Sequence, residues 1–302
     1  MVRGRKSKGG ARVAVSEPKR RLFRVVEAAR MGMCFGVRDA LEAVREAARQ
    51  GPLTVLGELA HNEVVLERLA AAGIGRARPE ADSAPTQRVA ITAHGVSDQV
   101  RRRWLEAGYE VTDTTCPLVR KAHDALACLV AEGCHPVVIG RHGHVEVQGL
   151  TGDYPEAVVI EDVGDIARLP KAAKLGVVSQ TTQPPDRVAV LLGAIRRERP
   201  GSIVDFRDTV CRPTRERQQA LEALCREADF VVVVGGKNSN NTRELVEKIR
   251  AYGVPAHRVA RPQEVRREWL KGCRVVGVTA GTSTLPESVA AVTHQLRQWA
   301  GE

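Results

Sequence analysis

Three of the seven cysteines in this 302-residue chain share one setting. Cys34, Cys116 and Cys211 each lie in a small-residue turn, after a short strand and just before an amphipathic helix. They are 82 and 95 residues apart, and 91 residues follow the third. An odd number of cysteines with no CxxC pair speaks against a disulfide framework, a zinc ribbon or a ferredoxin-type cluster motif. Three thiolates from distant turns suit a [4Fe–4S] cluster with three irons ligated and one open, and an open iron is a Lewis acid for a substrate oxygen. Residue type and spacing leave two alternatives standing, a Cys/His zinc site and unrelated buried thiols. The other four cysteines read as small buried hydrophobes. Cys128 and Cys225 lie within helices, and Cys134 and Cys273 follow a glycine at a strand start.

A second set of polar residues occupies similar turns. His61, His94 and His144, with Ser239, Asn240, Asn241 and Ser283, combine hydrogen-bond donors with helix N-termini, where free amides and the helix dipole favour phosphate. Ser239 and Asn241 serve equally well as plain N-caps. Glu146 is the single carboxyl group in this set, and with Thr181 it forms a proton donor and relay. It stands two residues from His144, so in an extended segment the two side chains share a face.

The elements that must position these residues follow one pattern, a short strand, a turn and an amphipathic helix, repeated along the chain. Such alternation predicts an α/β fold of βαβ units with mostly parallel sheets, and the unbroken apolar strand cores (VVVV, VVIG, VVGV) predict strands covered on both faces. In parallel sheets ligands bind beyond the carboxyl ends of the strands, where all these turns fall. The cysteine spacing divides the chain into a basic tail at 1–21 and three similar units at 22–115, 116–210 and 211–302. If the three face inward, their turns converge on one cavity. Gly-rich P-loop and dinucleotide fingerprints are absent.

At this point the motifs resemble the LytB-type diphosphate reductases. The carriers are MCFGVRDAL around Cys34, ELAHNEVV around His61, TAHGVS around His94, DTTCPLVRKAH around Cys116 and GHVEVQG around His144 and Glu146. SQTT around Thr181, Cys211 before TRERQ, GGKNSNNT and TAGTS around Ser283 complete the series, in order from about residue 24 to the C-terminus. The resemblance implies a trefoil of three α/β domains around a central [4Fe–4S] cluster held by Cys34, Cys116 and Cys211. It implies a substrate diphosphate bound by His61, His94, His144, Thr181, Ser239, Asn240, Asn241 and Ser283, and protons supplied by Glu146 with Thr181. It further implies reductive dehydroxylation of (E)-4-hydroxy-3-methylbut-2-enyl diphosphate to isopentenyl and dimethylallyl diphosphates, the last step of the non-mevalonate isoprenoid route, with an electron donor such as ferredoxin or flavodoxin. Val145 stands where that family usually has proline, which bears on the tightness of the Glu146 turn. His142 has no counterpart role and reads as a surface or supporting histidine.

Composition narrows the other classes. No apolar run approaches the roughly 18 residues of a membrane span, and no secretory signal follows the basic start, so a cytoplasmic protein is expected. The net charge of +10 is concentrated in residues 1–21, which hold eight basic side chains and one acid. That segment reads as a disordered tail. The near-neutral remainder, in a chain with only ten aromatic residues, speaks against a nucleic-acid groove. A hydro-lyase built on the same open-iron cluster is the alternative enzyme. It would act on carboxylates and so call for arginine clamps in the turns.

Overall fold

The computed structural model describes residues 22–60, 62–237 and 239–302, leaving the Asn240 side chain aside. The expected tail at 1–21 and His61 therefore lie outside the described residues. The chain begins with β1 (Arg24–Glu27), α1 (Phe35–Arg49), β2 (Leu53–Leu56), α2 (Glu63–Ala71), β3 (Gly75–Ala77), β4 (Arg88–Ile91), α3 (Asp98–Glu106) and β5 (Glu110–Asp113). It continues through α4 (Pro117–Ala131), β6 (His135–Ile139), α5 (Val145–Thr151), β7 (Val158–Ile160), β8 (Lys174–Ser179), α6 (Pro185–Glu198) and β9 (Ile203–Phe206). It closes with α7 (Arg212–Glu227), β10 (Phe230–Val234), α8 (Asn240–Ala251), β11 (Ala256–Val259), β12 (Val275–Ala280) and α9 (Pro286–Ala300).

The strands form three four-stranded sheets, ordered β3-β2-β4-β5, β7-β6-β8-β9 and β1-β12-β10-β11, and every pairing is parallel. Beyond their first residues the central strands are buried, because helices cover both faces. All five residues of β10 are buried. Val232 and Val234 join one core with α9, while Val231 and Val233 join another with α7 and α8. The helices show the matching stripe. In α1 Ala40, Leu41, Val44 and Ala47 face inward.

The three sheets repeat one order. Reading from the outside, the strands run second, first, third and fourth in each unit. In the third sheet the fourth place is taken by β1, from the start of the chain, in register Val25↔Val276. This differs from the expected segmentation, which put residues 22–33 in the first unit. The cause is packing: Phe23 and Val25 enter the core built by Val276, Val278 and Leu296, and β1 covers what would otherwise be a bare β12 edge. Each of the three cysteines therefore sits at a junction. The strand before it closes one sheet, and the helix after it packs on the next. α1 joins the β2 core, α4 the β6–β8 core and α7 the β10 core.

Cys128 departs from expectation. It is exposed, whereas Cys134 is buried and Cys225 and Cys273 are partly so. The buried stripe of α4 runs through Val119, Ala122, Leu126 and Leu129, and Cys128 falls on the opposite side. Among the described residues, no helix is long and apolar enough to cross a membrane.

Candidate active site

The cysteines occupy one structural position three times. Cys34, Cys116 and Cys211 are the N-caps of α1, α4 and α7. Each amide donates to the second residue beyond a central strand: Cys116 to Ala93 after β4 (3.0 Å), Cys211 to Thr181 after β8 (2.9 Å), and Cys34 to Thr282 after β12 (3.2 Å). Three tethers of one kind hold the thiols around one cavity, which Ala93, Thr181 and Thr282 also line. Burial pushes the Cys116 and Cys211 thiols above their ordinary values, and the charges of Cys34 and Glu146 act in the same direction. The amides of Leu118 and Val119 oppose this at Cys116, as the Thr214 hydroxyl and amide do at Cys211. The Cys211 sulfur stands 3.1 Å from the Thr214 hydroxyl.

An adjoining cavity gathers the polar set. His94, His144, Ser239, Asn241 and Ser283 line it, with Glu146. His144 is the N-cap of α5, where its Nδ1 accepts from the Glu146 amide at 3.1 Å. That bond leaves a neutral ring's proton on Nε2. Gly143 just before it has φ 71°, a conformation that suits glycine and turns the chain into the helix. Val145 takes the first helical position, so the turn forms without proline. The His94 ring meets the His144 ring edge-on, with centroids 5.8 Å apart. Ser239 caps α8 by accepting from the Thr242 amide (3.3 Å), and Asn241 Oδ1 accepts from the Thr282 amide (3.0 Å). For Ser239 the capping role and a place in the cavity coexist. Asn240 opens α8, and its side chain, like His61, lies outside the described residues.

Glu146 is not extended as its spacing from His144 suggested. It lies in the first turn of α5 and is 1% exposed. Its Oε1 accepts from the Thr181 amide at 2.6 Å. Burial raises its carboxyl from the ordinary 4.5 to about 7, against the lowering effect of the Thr181 amide and hydroxyl. Glu146, His94, Val37, Thr182 and Thr282 line both cavities and so form the wall between them.

Several lining residues had no sequence signal of their own: Arg141, Gln180, Thr182, Gln183 and Glu244 in the polar cavity, and Arg217 beside the thiols. Thr182 and Ser283 hold the place after β8 and β12 that His94 holds after β4, so aligning the three strand ends would have pointed to Thr182. His142 is a surface residue, its Nε2 3.0 Å from Asp165 Oδ2. No three His, Cys, Asp or Glu side chains among the described residues converge on a single metal-ion position.

Three parallel α/β sheets around a thiol-lined cavity, with a second cavity lined by histidine, serine and asparagine beside it, define a three-lobed α/β enzyme. The family model described as LytB protein matches residues 25–297, and the chain belongs to that family. A relative from Azotobacter vinelandii named 4-hydroxy-3-methylbut-2-enyl diphosphate reductase is 39% identical over 278 residues, covering 89% of this chain and 88% of the relative. One of the same name from Neisseria meningitidis is 35% identical over 277 residues, covering 90% and 86%. The structure of the E-1-hydroxy-2-methyl-but-2-enyl-4-diphosphate reductase from Plasmodium falciparum superposes with a TM-score of 0.84 at 27% identity, over 91% of this chain and 88% of that one. A second, titled as (E)-4-hydroxy-3-methyl-but-2-enyl diphosphate reductase, the terminal enzyme of the non-mevalonate pathway, superposes with a TM-score of 0.68 at 29% identity, over 91% and 99%.

Proposed function

We propose that this chain reduces (E)-4-hydroxy-3-methylbut-2-enyl diphosphate in the cytoplasm, as the last step of the non-mevalonate isoprenoid route. The C4 hydroxyl leaves as water, at the expense of two electrons and two protons, and isopentenyl and dimethylallyl diphosphates result. The observation that carries this reading is the position of Glu146, a buried carboxyl in the wall between a thiol-lined cavity and one lined by His94, His144, Ser239, Asn241 and Ser283.

Cys34, Cys116 and Cys211 would hold a [4Fe–4S] cluster by three of its irons. Two features of the side chains fit it. The thiols come from three separate helix N-caps around one cavity without closing on a single ion position, which suits a cluster with its several irons better than a lone zinc ion. Arg217, on the same cavity, has a buried Nε–H with no acceptor, as a site meant for an anionic group would leave it. When bound, the cluster supplies electrons and an open Lewis-acid iron.

The chain's own residues do the rest. His94, His144, Ser239, Asn241 and Ser283 grip the diphosphate, with His61 and Asn240 assigned by their motifs. Glu146, with a pKa of about 7, delivers a proton to the departing oxygen near neutral pH. The Thr181 amide fixes the carboxyl, and its hydroxyl relays protons. Electrons come from a small carrier protein such as ferredoxin or flavodoxin. The test is anaerobic purification, an iron and sulfide count, and an assay with the diphosphate and a chemical reductant. Turnover that needs no reductant would point to the hydro-lyase alternative instead.

A further inference from the structure

The polar cavity contains an arginine and a glutamate that the histidine, serine and asparagine donors do not account for. Arg141 lines it from the loop after β6, and Glu244 lines it from α8. The Arg141 backbone is fixed on both sides. Its amide donates to Gln180 Oε1 (3.2 Å), and its carbonyl accepts from the His144 amide (3.2 Å). Its side chain is half-buried, yet its guanidinium enters no ion pair among the described residues. A half-buried cation without a partner is poised for an anion. Glu244 is the converse oddity, a carboxyl on the wall of an anion-binding cavity, and the cations that face it are Arg141, Arg187 and Arg243.

We propose that Arg141 is a charged ligand of the substrate's diphosphate, facing Glu244 across the cavity without pairing with it when no anion is bound and closing on the phosphate oxygens when one is. The inference rests on the diphosphate reading of this cavity. A guanidinium offers paired N–H donors to two phosphate oxygens, which no histidine can do. Glu244 then acts as a placeholder. It keeps Arg141 extended into the cavity, and it subtracts from the affinity for any anion that displaces it.

The test is calorimetric titration of the anaerobically purified, cluster-loaded full chain with inorganic pyrophosphate. Arg141→Gln is expected to weaken binding roughly 10- to 100-fold, the usual effect of a charge-assisted bond. Arg141→Lys should recover part of the loss. Glu244→Gln should tighten binding, a result that damage to the fold cannot imitate. His94→Ala separates the two levels of the argument. If His94→Ala weakens pyrophosphate binding while Arg141→Gln and Glu244→Gln leave it unchanged, the inference is overturned and the diphosphate reading stands. If His94→Ala and Arg141→Gln both leave binding unchanged, the cavity is not the diphosphate site and both fall.

Discussion

The Thr181 amide donates to Glu146 Oε1 at 2.6 Å, while the Thr181 carbonyl accepts from the Cys211 amide at 2.9 Å. One peptide segment therefore ties the buried carboxyl to one of the three thiol turns. Glu146 is thus placed by the same scaffold that places the thiols, although it comes from a different helix.

Glu146→Gln keeps the shape and the acceptor oxygen but cannot give up a proton. A general acid contributes about 100- to 10,000-fold in rate. Turnover of the variant is expected to fall by at least the lower figure, with iron content and diphosphate affinity retained. Near-normal turnover at saturating substrate and reductant would remove Glu146 as the proton source.

The raised carboxyl also predicts how stability changes with pH in the metal-free protein. The folded pKa, about 7, lies above the ordinary 4.5, so the folded state holds the proton more tightly. Its contribution is complete below about pH 4.5 and is lost as pH rises to about 7. At 1.36 kcal/mol per pH unit the loss is on the order of 3 kcal/mol. Urea denaturation at pH 5 and pH 8 should show Glu146→Gln relatively more stable at the higher pH. Parallel profiles for variant and wild type would contradict a buried neutral carboxyl.

Each of Cys34→Ser, Cys116→Ser and Cys211→Ser is expected to abolish the broad visible absorption of the reconstituted protein. Serine at Cys128, Cys134, Cys225 or Cys273 should leave it intact. Loss of iron on changing any of those four would refute a three-thiol site.

A sharper probe of the same centre is Gly36→Ala. A Cβ at Gly36 would lie 2.5 Å from the Cys116 sulfur. The N-terminus of α1 and the Cys116 turn cannot both keep their places around such a methyl group. The expected outcome is lost or labile iron in a protein whose far-ultraviolet circular dichroism is unchanged. Full, stable iron loading would show that the two turns have slack.

Asn241→Ala should weaken pyrophosphate binding. It also removes the acceptor for the Thr282 amide, whose carbonyl holds the Cys34 amide, so the variant's iron should be released faster to a chelator. His94→Ala leaves the Asn241–Thr282–Cys34 hydrogen bonds in place and should mainly weaken anion binding. Equal chelator kinetics in the two variants would argue against a tether running from Asn241 through Thr282 to Cys34.

Much of this protein follows from local sequence. Apolar runs such as Phe230–Val234 can satisfy their backbone only as strands covered on both faces, and the 3.6-residue stripe of α1 admits only a helix against a sheet. The turn between such elements is short, so Cys34, Cys116 and Cys211 were bound to lie at strand ends and helix starts. Contacts between distant segments were decided elsewhere. β1 could have paired with any exposed edge, and only the packing of Phe23 and Val25 against Val276 and Val278 assigns it to the third sheet. Glu146 looked extended from its spacing to His144, but the His144 ring nitrogen takes the Glu146 amide and starts a helix there. Arg141 and Glu244 lie 103 positions apart in the chain, with no motif between them to signal that they meet across one cavity. Periodicity and turn chemistry act within a few residues and are written in the sequence. Which strand closes which sheet, and which charges face one another, depends on surfaces that exist only once the three sheets have packed.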